Sequence, residues 1–262
     1  MGEGIQFLRE ALDSNLKPEA VLMTARGLRE ASDLAERAES MGVQVLRVSE
    51  EIMGLLTDTV TPQGMVTIAP LVHETFPPQR QLSGPLAFLD QIRDPGNLGT
   101  LIRAADAAGL AGLLVGRRSA DPYNPKAVRA SAGSILNLPI FIGLDPADAL
   151  AGLKERGYRV VAAVPRAAVG YWEHPWEEDS VVLLGNEAWG IPADDRKLAD
   201  DEVCVPVFGR AESLNVAVAA ALIFYEIRRR HPRIMVGGRL KSGGEGSGDA
   251  AGSEDGRIGG GP

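Results

Sequence analysis

Cysteine is nearly absent from this chain. Cys204 is the single one, so no internal disulfide can form, and its place in an apolar run fits a reducing cytoplasm. Histidine is scarce as well. His73, His174 and His231 stand at no ligand spacing, so no metal site is expected. No apolar run approaches the roughly 20 residues of a membrane span. Met1-Gly2-Glu3-Gly4 lacks the basic start and apolar run of a secretion signal. Aromatics make up only 5% of residues, which points to close packing by small side chains. Positive charge is in deficit: 27 Lys and Arg stand against 35 Asp and Glu, a net charge of −8. That argues against a general polyanion binder. One local patch departs from the trend, because Arg117, Arg118, Lys126 and Arg129 face Asp121 alone between positions 117 and 129. A nucleic-acid partner therefore stays open through a patch rather than through the whole surface. Fingerprints are missing too. No G-x-G-x-x-G follows the first strand, no phosphate-binding G-x-x-x-x-G-K-[ST] occurs, and no Ser has the G-x-S-x-G context. Hydride transfer, phosphoryl transfer and triad hydrolysis lose their usual support.

What is present is enough for a large core: 262 residues, 45% of them hydrophobic, fit one large or two modest domains. Residues 5–12 place Ile5, Leu8, Ala11 and Leu12 on one helical face. Positions 20–23 read as a strand, 28–41 as a charged amphipathic helix ended by Gly42, and 43–48 as an alternating strand. Ser49 caps a short helix to Leu56, and 63–69 reads as a closing strand. Residues 1–70 thus form a small α/β unit. The stretch 71–84, opened by Pro70 and holding Pro77 and Pro78, has no period and reads as a linker. From Pro85 strands and helices alternate. Strands are expected at 86–89, 112–115, 138–142, 159–164, 180–184 and 202–205. Helices are expected at 97–108, 125–134, 146–156 and 213–230. Continuous apolar strands between helices imply a mostly parallel sheet covered on both faces, so 85–234 reads as the second domain. Residues 235–262 are Gly- and Ser-rich and almost free of large apolar side chains, so a disordered tail is expected there.

Three polar stretches follow strands of the second domain, where open α/β sheets bind ligands. The first, Asp94-Pro95-Gly96-Asn97-Leu98-Gly99-Thr100-Leu101-Ile102-Arg103, has Asn97 as a natural N-cap and Arg103 inside an apolar helix. Arg103 is either an exposed-stripe residue or a buried-side cation that needs an anion. The second, Leu184-Gly185-Asn186-Glu187-Ala188-Trp189-Gly190-Ile191-Pro192, sets Glu187 between two glycines. There it is either a turn carboxylate or a group that orients a cation. The third, Val205-Pro206-Val207-Phe208-Gly209-Arg210-Ala211-Glu212-Ser213-Leu214-Asn215, runs from a strand into an Ala-rich helix. Its helix start is either ordinary capping or a set of free N–H groups for a ligand.

These three stretches, in this order, resemble the motifs of the SpoU (TrmH-like) family of RNA ribose 2′-O-methyltransferases. Asn97 to Arg103 is similar to the first motif, Gly185 to Pro192 to the second, and Pro206, Gly209 and Ser213-Leu214-Asn215 to the third. Ser119 to Lys126 resembles a further family segment, and the likeness spans about residues 85–231. The resemblance implies a knotted (trefoil) α/β fold, S-adenosylmethionine as cofactor, a homodimer with sites near its interface, no metal and no membrane. It implies that 1–70 is a small RNA-binding domain related to a ribosomal protein. Relatives usually carry a basic segment before the turn that here is Gly2-Glu3-Gly4. Arg103 would grip a phosphate or act on the 2′-hydroxyl as base, with Asn97, Glu187, Ser213 and Asn215 positioning it and the ribose. The cofactor would lie against Leu184, Gly185, Asn186, Gly190, Val205, Pro206, Val207, Ser213 and Leu214. A separate N-terminal domain points to large-subunit (23S) rRNA rather than tRNA. Two other readings stay open: a non-catalytic RNA-binding or ribosome-assembly factor, and a tRNA methyltransferase of the same superfamily.

Overall fold

The computed structural model of the chain describes residues 1–14, 16–57, 59, 61–71, 74–77 and 82–232, with the backbone of 235–236 and 239–240. Two sheets organise it. The N-terminal sheet contains β1 (Gly2–Glu3), β2 (Ala20–Met23), β3 (Gln44–Arg47) and β4 (Met65–Ile68), in the order β1-β4-β2-β3. β4 runs antiparallel to β1 and β2, while β2 and β3 are parallel. Its helices are α1 (Ile5–Asp13), α2 (Ala25–Glu30), α3 (Ser32–Ser40) and α4 (Glu50–Leu56). Leu8 and Leu12 of α1 meet Val21, Met23 and Met65 of the sheet and Leu34, Ala35 and Ala38 of α3. The single helix expected at 28–41 is two: Ala31 leaves helical geometry at φ −139°, and the chain restarts at Ser32. Ser49 does cap α4, accepting from Ile52 N–H. β1 was not anticipated; two residues are too few to show alternation.

The larger sheet holds β5 (Leu86–Leu89), β6 (Gly112–Gly116), β7 (Ile140–Leu144), β8 (Arg159–Ala163), β9 (Ser180–Leu184) and β10 (Asp201–Val203). Its order is β10-β8-β9-β5-β6-β7, and every pairing is parallel. Alternate residues feed two cores. Ala87, Leu89, Leu113, Val115, Val182 and Leu184 pack under α5 (Pro95–Ala107) and α9 (Val216–Arg230). Leu86, Phe88, Leu114, Val181 and Leu183 pack with Ala149, Leu150 and Leu153 of α7 (Pro146–Lys154) on the other face. That double coverage is why these strands read as unbroken apolar runs. α6 (Pro125–Ser131) crosses α5 closely. A Cβ on Gly99 would lie 2.2 Å from the Ala127 carbonyl oxygen, so only glycine permits the approach. A 3-10 turn (Ser134–Leu136) follows α6, and a short α8 (Ala193–Arg196) follows β9.

Several boundaries move. Asp94, not Asn97, caps α5: its carboxylate accepts from Asn97 N–H at 2.8 Å, and Pro95 occupies the first helical turn. Asn215, not Ser213, caps α9, accepting from Ala217 N–H at 2.9 Å. β10 ends at Val203, and Cys204 makes only an isolated bridge to Gly170. In the described part of the linker, Glu74 bridges to Phe141 in β7, and Phe76 sets its ring edge-on to Phe141 at 5.8 Å. Past Pro232, Met235–Val236 (β11) pairs antiparallel with Arg239–Leu240 (β12). The rest of the tail expected to be disordered lies outside the described residues.

Candidate active site

β8, β9 and β10 end side by side, and the loops that leave them enclose a cavity of about 280 Å³. Ala163, Val164 and Pro165 form one wall. Leu184, Gly185, Asn186, Glu187, Trp189 and Gly190 form the second, and Val205, Val207, Glu212, Ser213 and Leu214 the third. Val216, Ala219 and Ile223 of α9 close the floor. The second wall is a tightly folded turn. Asn186 and Gly190 exchange backbone hydrogen bonds at 3.0 and 2.9 Å, with Gly190 at φ +74°. A Cβ on Gly185 would lie 2.4 Å from the Gly190 carbonyl carbon, so residue 185 must be glycine for the turn to close. Asn186 is buried and committed to structure. Its Nδ2 donates to the Gln91 carbonyl at 2.8 Å and its Oδ1 accepts from Ala188 N–H at 2.8 Å. The cavity itself is bounded by side chains such as Val164, Leu184, Val205 and Ile223, with polar groups at Glu187, Glu212 and Ser213. A cleft that combines apolar side chains with polar groups from the surrounding loops suits a small-molecule ligand.

The three polar stretches converge through one relay. Asn215 Nδ2 donates to Asn97 Oδ1 at 2.9 Å, and Asn97 Nδ2 donates to Glu187 Oε1 at 3.0 Å. A carboxylate only accepts, so the Glu187 contact fixes which way the Asn97 amide faces. Asn97 therefore serves as the middle of the relay. Ser213 lies in the cavity wall with Glu187. Pro206 is placed between two lining residues but does not line the cavity itself. Arg103 stands apart. Its side chain is exposed on α5, lines no part of the cavity, and has no hydrogen bond or ion pair among the described residues. The buried-side expectation is not met within one chain, because the apolar face of α5 is carried by Leu98, Leu101, Ile102 and Ala105.

A second cluster lies at the same edge of the sheet. Asp90 follows β5 directly and is fully buried. Arg118 Nη2 stands 3.5 Å from its Oδ1 and 2.8 Å from Oδ2 of Asp195 in α8. Burial, with the nearby Asp195 charge, pushes the Asp90 carboxyl up to about 6, and Arg118 only partly offsets this. The basic patch around 117–129 is largely consumed internally. Arg117 pairs with Asp145 at 2.8 Å, Arg118 with Asp90 and Asp195, and Lys126 with Asp94 at 2.7 Å. The hydrogen bond from Lys126 holds the Asp94 carboxyl below its usual range.

Sequence reasoning missed the wall at 163–165, since a strand end followed by Pro165 carries no distinctive side chain. It also missed Trp189 and Glu212, which sat inside the polar stretches and drew no role. Among the described residues, no group of three or more His, Cys, Asp and Glu is arranged to hold a metal, and no helix is long and apolar enough to cross a membrane.

Comparison with known proteins gives this geometry a context. The SpoU rRNA Methylase family matches residues 85–225, and the MRM3-like substrate binding domain matches residues 1–67. The 23S rRNA (guanosine(2553)-2′-O)-methyltransferase RlmP of Bacillus subtilis (strain 168) is 34% identical over 226 residues, covering 86% of this chain and 87% of that protein. The SpoU methyltransferase AviRb from Streptomyces viridochromogenes, in complex with the cofactor AdoMet, superposes with a TM-score of 0.75 at 25% identity, covering 88% of this chain and 89% of that one. An AdoMet-bound rRNA methyltransferase from Sinorhizobium meliloti gives a TM-score of 0.71 at 32% identity, covering 87% and 86%.

Proposed function

The chain belongs to the SpoU rRNA methylase family, and from that premise we propose how its own residues methylate RNA. It is an S-adenosylmethionine-dependent enzyme that methylates ribose 2′-hydroxyls of rRNA. The observation that carries the reading is the relay Asn215–Asn97–Glu187, which joins the three motifs at the mouth of a small-molecule cavity.

The cavity fits the cofactor. Its 185–190 turn is tight enough to exclude a Cβ at Gly185, leaving backbone edges at the wall, and its apolar walls suit a flat aromatic group. Leu184, Gly185, Gly190, Val205, Val207 and Leu214 would hold it, with Ser213 and Glu212 supplying polar contacts. Asn186 keeps the turn in shape rather than reaching for the ligand. When bound, the cofactor supplies an electrophilic methyl group. The residues around it have to orient and activate a weak nucleophile.

Glu187, held by Asn97, offers a fixed acceptor for a ribose hydroxyl or for a cation that comes with the substrate. Arg103 is available for a phosphate, because no carboxylate among the described residues engages it. A planar guanidinium grips phosphate through two parallel hydrogen bonds. That geometry favours the clamp over the base, since Arg stays protonated in proteins.

Arg103 directly precedes Ala104 of α5, which shares an open groove with Val218, Leu222 and Tyr225 of α9 and with Tyr171. An apolar groove of this kind supports a homodimer, with Arg103 near the boundary between copies. The N-terminal unit is assigned to RNA contact, and 23S rRNA is the preferred substrate because the same two-part layout matches RlmP. A single cysteine and a ribosomal substrate support a cytoplasmic location. The trefoil threading of the 184–190 and 204–215 loops is carried over from the family's fold.

Calorimetry of S-adenosylmethionine against the full chain tests the reading. One site per protomer is expected, and folded protein with no binding would overturn it.

A further inference from the structure

Phe208 is 88% exposed, more than Trp189, Tyr225 or Trp172. It nevertheless has an aromatic neighbour. Its ring stacks on Trp172 at 6.3 Å between centroids, with the planes 17° apart. Trp172 in turn meets Tyr171 edge-on at 5.1 Å, and the Trp172 carbonyl accepts a hydrogen bond from Arg230 of α9. Tyr171 N–H donates to the Cys204 carbonyl at 2.9 Å, which ties the stack to the end of β10. A planar apolar ring lying parallel to a second ring, with most of its surface left to solvent, can receive a further planar group.

The surrounding chain says which group. Phe208 belongs to the loop whose Val205 and Val207 on one side, and Glu212, Ser213 and Leu214 on the other, line the cofactor cavity. Arg210, two residues on, is exposed and pairs with no side chain among the described residues. An open aromatic face with a nearby cation is the arrangement that binds single-stranded nucleic acid, through base stacking and phosphate contact. Trp189, across the cavity, is less available, because the Arg93 guanidinium already covers its ring at 4.9 Å.

We propose that the Trp172–Phe208 stack is a platform for an unpaired base of the rRNA beside the ribose that receives the methyl group. This rests on the rRNA methyltransferase reading and adds to it a substrate-positioning site. Stacking is blind to base identity, so the platform demands an unpaired nucleotide at that position rather than a particular sequence.

The test compares full-length wild type with Phe208→Ala, Phe208→Leu and Phe208→Trp. Affinity for an unmodified 23S rRNA transcript is measured by filter binding, S-adenosylmethionine affinity by calorimetry, and copy number by sedimentation. Phe208→Ala and Phe208→Leu should each weaken RNA binding roughly tenfold or more, the scale of one lost base–aromatic stack. Phe208→Trp should restore it, and cofactor affinity and copy number should stay at the wild-type values in all three. Unchanged RNA affinity in Phe208→Ala would overturn the platform. So would full recovery in Phe208→Leu, which would make the contact merely apolar. A changed copy number would assign the ring to a second copy of the chain, and a joint loss of cofactor binding would make Phe208 a loop-folding residue. Because RNA binding is read without turnover, wild type that binds the transcript yet transfers no methyl would overturn the enzyme reading alone.

Discussion

Two side-chain clusters sit at the same edge of the large sheet and are built to opposite plans. The Asn215–Asn97–Glu187 relay is open: its amides are held at 2.9 and 3.0 Å, and its carboxylate reaches into solvent beside a cavity. The Asp90–Arg118–Asp195 cluster is closed: its central carboxylate is buried, and two of its partners come from the turn after β6 and from α8. Both tie distant loops together. The relay leaves hydrogen-bonding capacity for a substrate, whereas the closed cluster spends its charges on itself. The contrast separates groups expected to act in turnover from groups expected to act in folding, even where both are ionisable and adjacent to the site.

The largest effect should come from the cation that neither cluster uses. Arg103→Ala and Arg103→Lys are each expected to lower turnover at least roughly a hundredfold, the scale of a lost positioned catalytic group. Cofactor affinity should hold, since Arg103 lines no part of the cavity. If Lys restores activity with a new pH dependence, a simple charge or base suffices. If Lys is as inactive as Ala, the planar grip on phosphate is the account. Near-normal methylation in the Ala variant would return Arg103 to an exposed surface stripe.

Breaking the relay comes next. Asn97→Ala removes both of its side-chain hydrogen bonds and should cost roughly tenfold or more in turnover through loss of orientation at Glu187. Asn97→Asp should be no rescue, because a carboxylate cannot donate to Glu187. Melting temperature should move little in either variant, since Asp94 and not Asn97 caps α5. A large drop in stability would place Asn97 with the folding cluster and break the contrast.

The closed cluster should show itself in pH dependence of stability. Burial, with the Asp195 charge beside it, pushes the Asp90 carboxyl up to about 6 in the folded chain, above the 3.8 of a free aspartate. Its contribution is therefore fully present below 3.8 and is lost as pH rises through about 6. Asp90→Asn carries no such cost. The difference in melting temperature between Asp90→Asn and wild type should shift in favour of the variant between about pH 4 and about pH 8. A difference that does not change with pH would show that Asp90 ionises without penalty. The smallest effect belongs to the exposed surface. Lys197→Ala removes a fully exposed pair with Asp194 and should change neither melting temperature nor turnover measurably.

The contrast also explains what could be read in advance. β5 and β9 announced themselves as four and five consecutive buried apolar or small residues, because α5 and α9 cover one face and α7 the other. The open relay was half legible. Its residues were nominated by their motifs, but their mutual contact spans 118 positions between Asn97 and Asn215 and exists only in the folded chain. Arg103 does lie inside an apolar helix, where the pattern leaves both faces open, and the fold puts it on the exposed one. Asn97 suits a cap by residue type, as Asp does, but Asp94-Pro95 starts the helix at Pro95, two residues before the expected start. The closed cluster was not legible at all. Asp90 looked like any acidic residue after a strand, and nothing local to Arg118 shows that it spans to Asp195. The basic patch is offset in part for the same reason: Arg117, Arg118 and Lys126 find counter-charges at Asp145, Asp195 and Asp94, outside the 117–129 window.

The central claim is methyl transfer to a ribose hydroxyl of rRNA at the mouth of the cavity. It is tested most directly by incubating the full chain with an unmodified 23S rRNA transcript and methyl-labelled S-adenosylmethionine, then digesting the RNA to nucleosides. The account predicts label in a 2′-O-methylnucleoside at one position, and its loss with Arg103→Ala. Label on a base, or no label from protein that binds the cofactor, would contradict it.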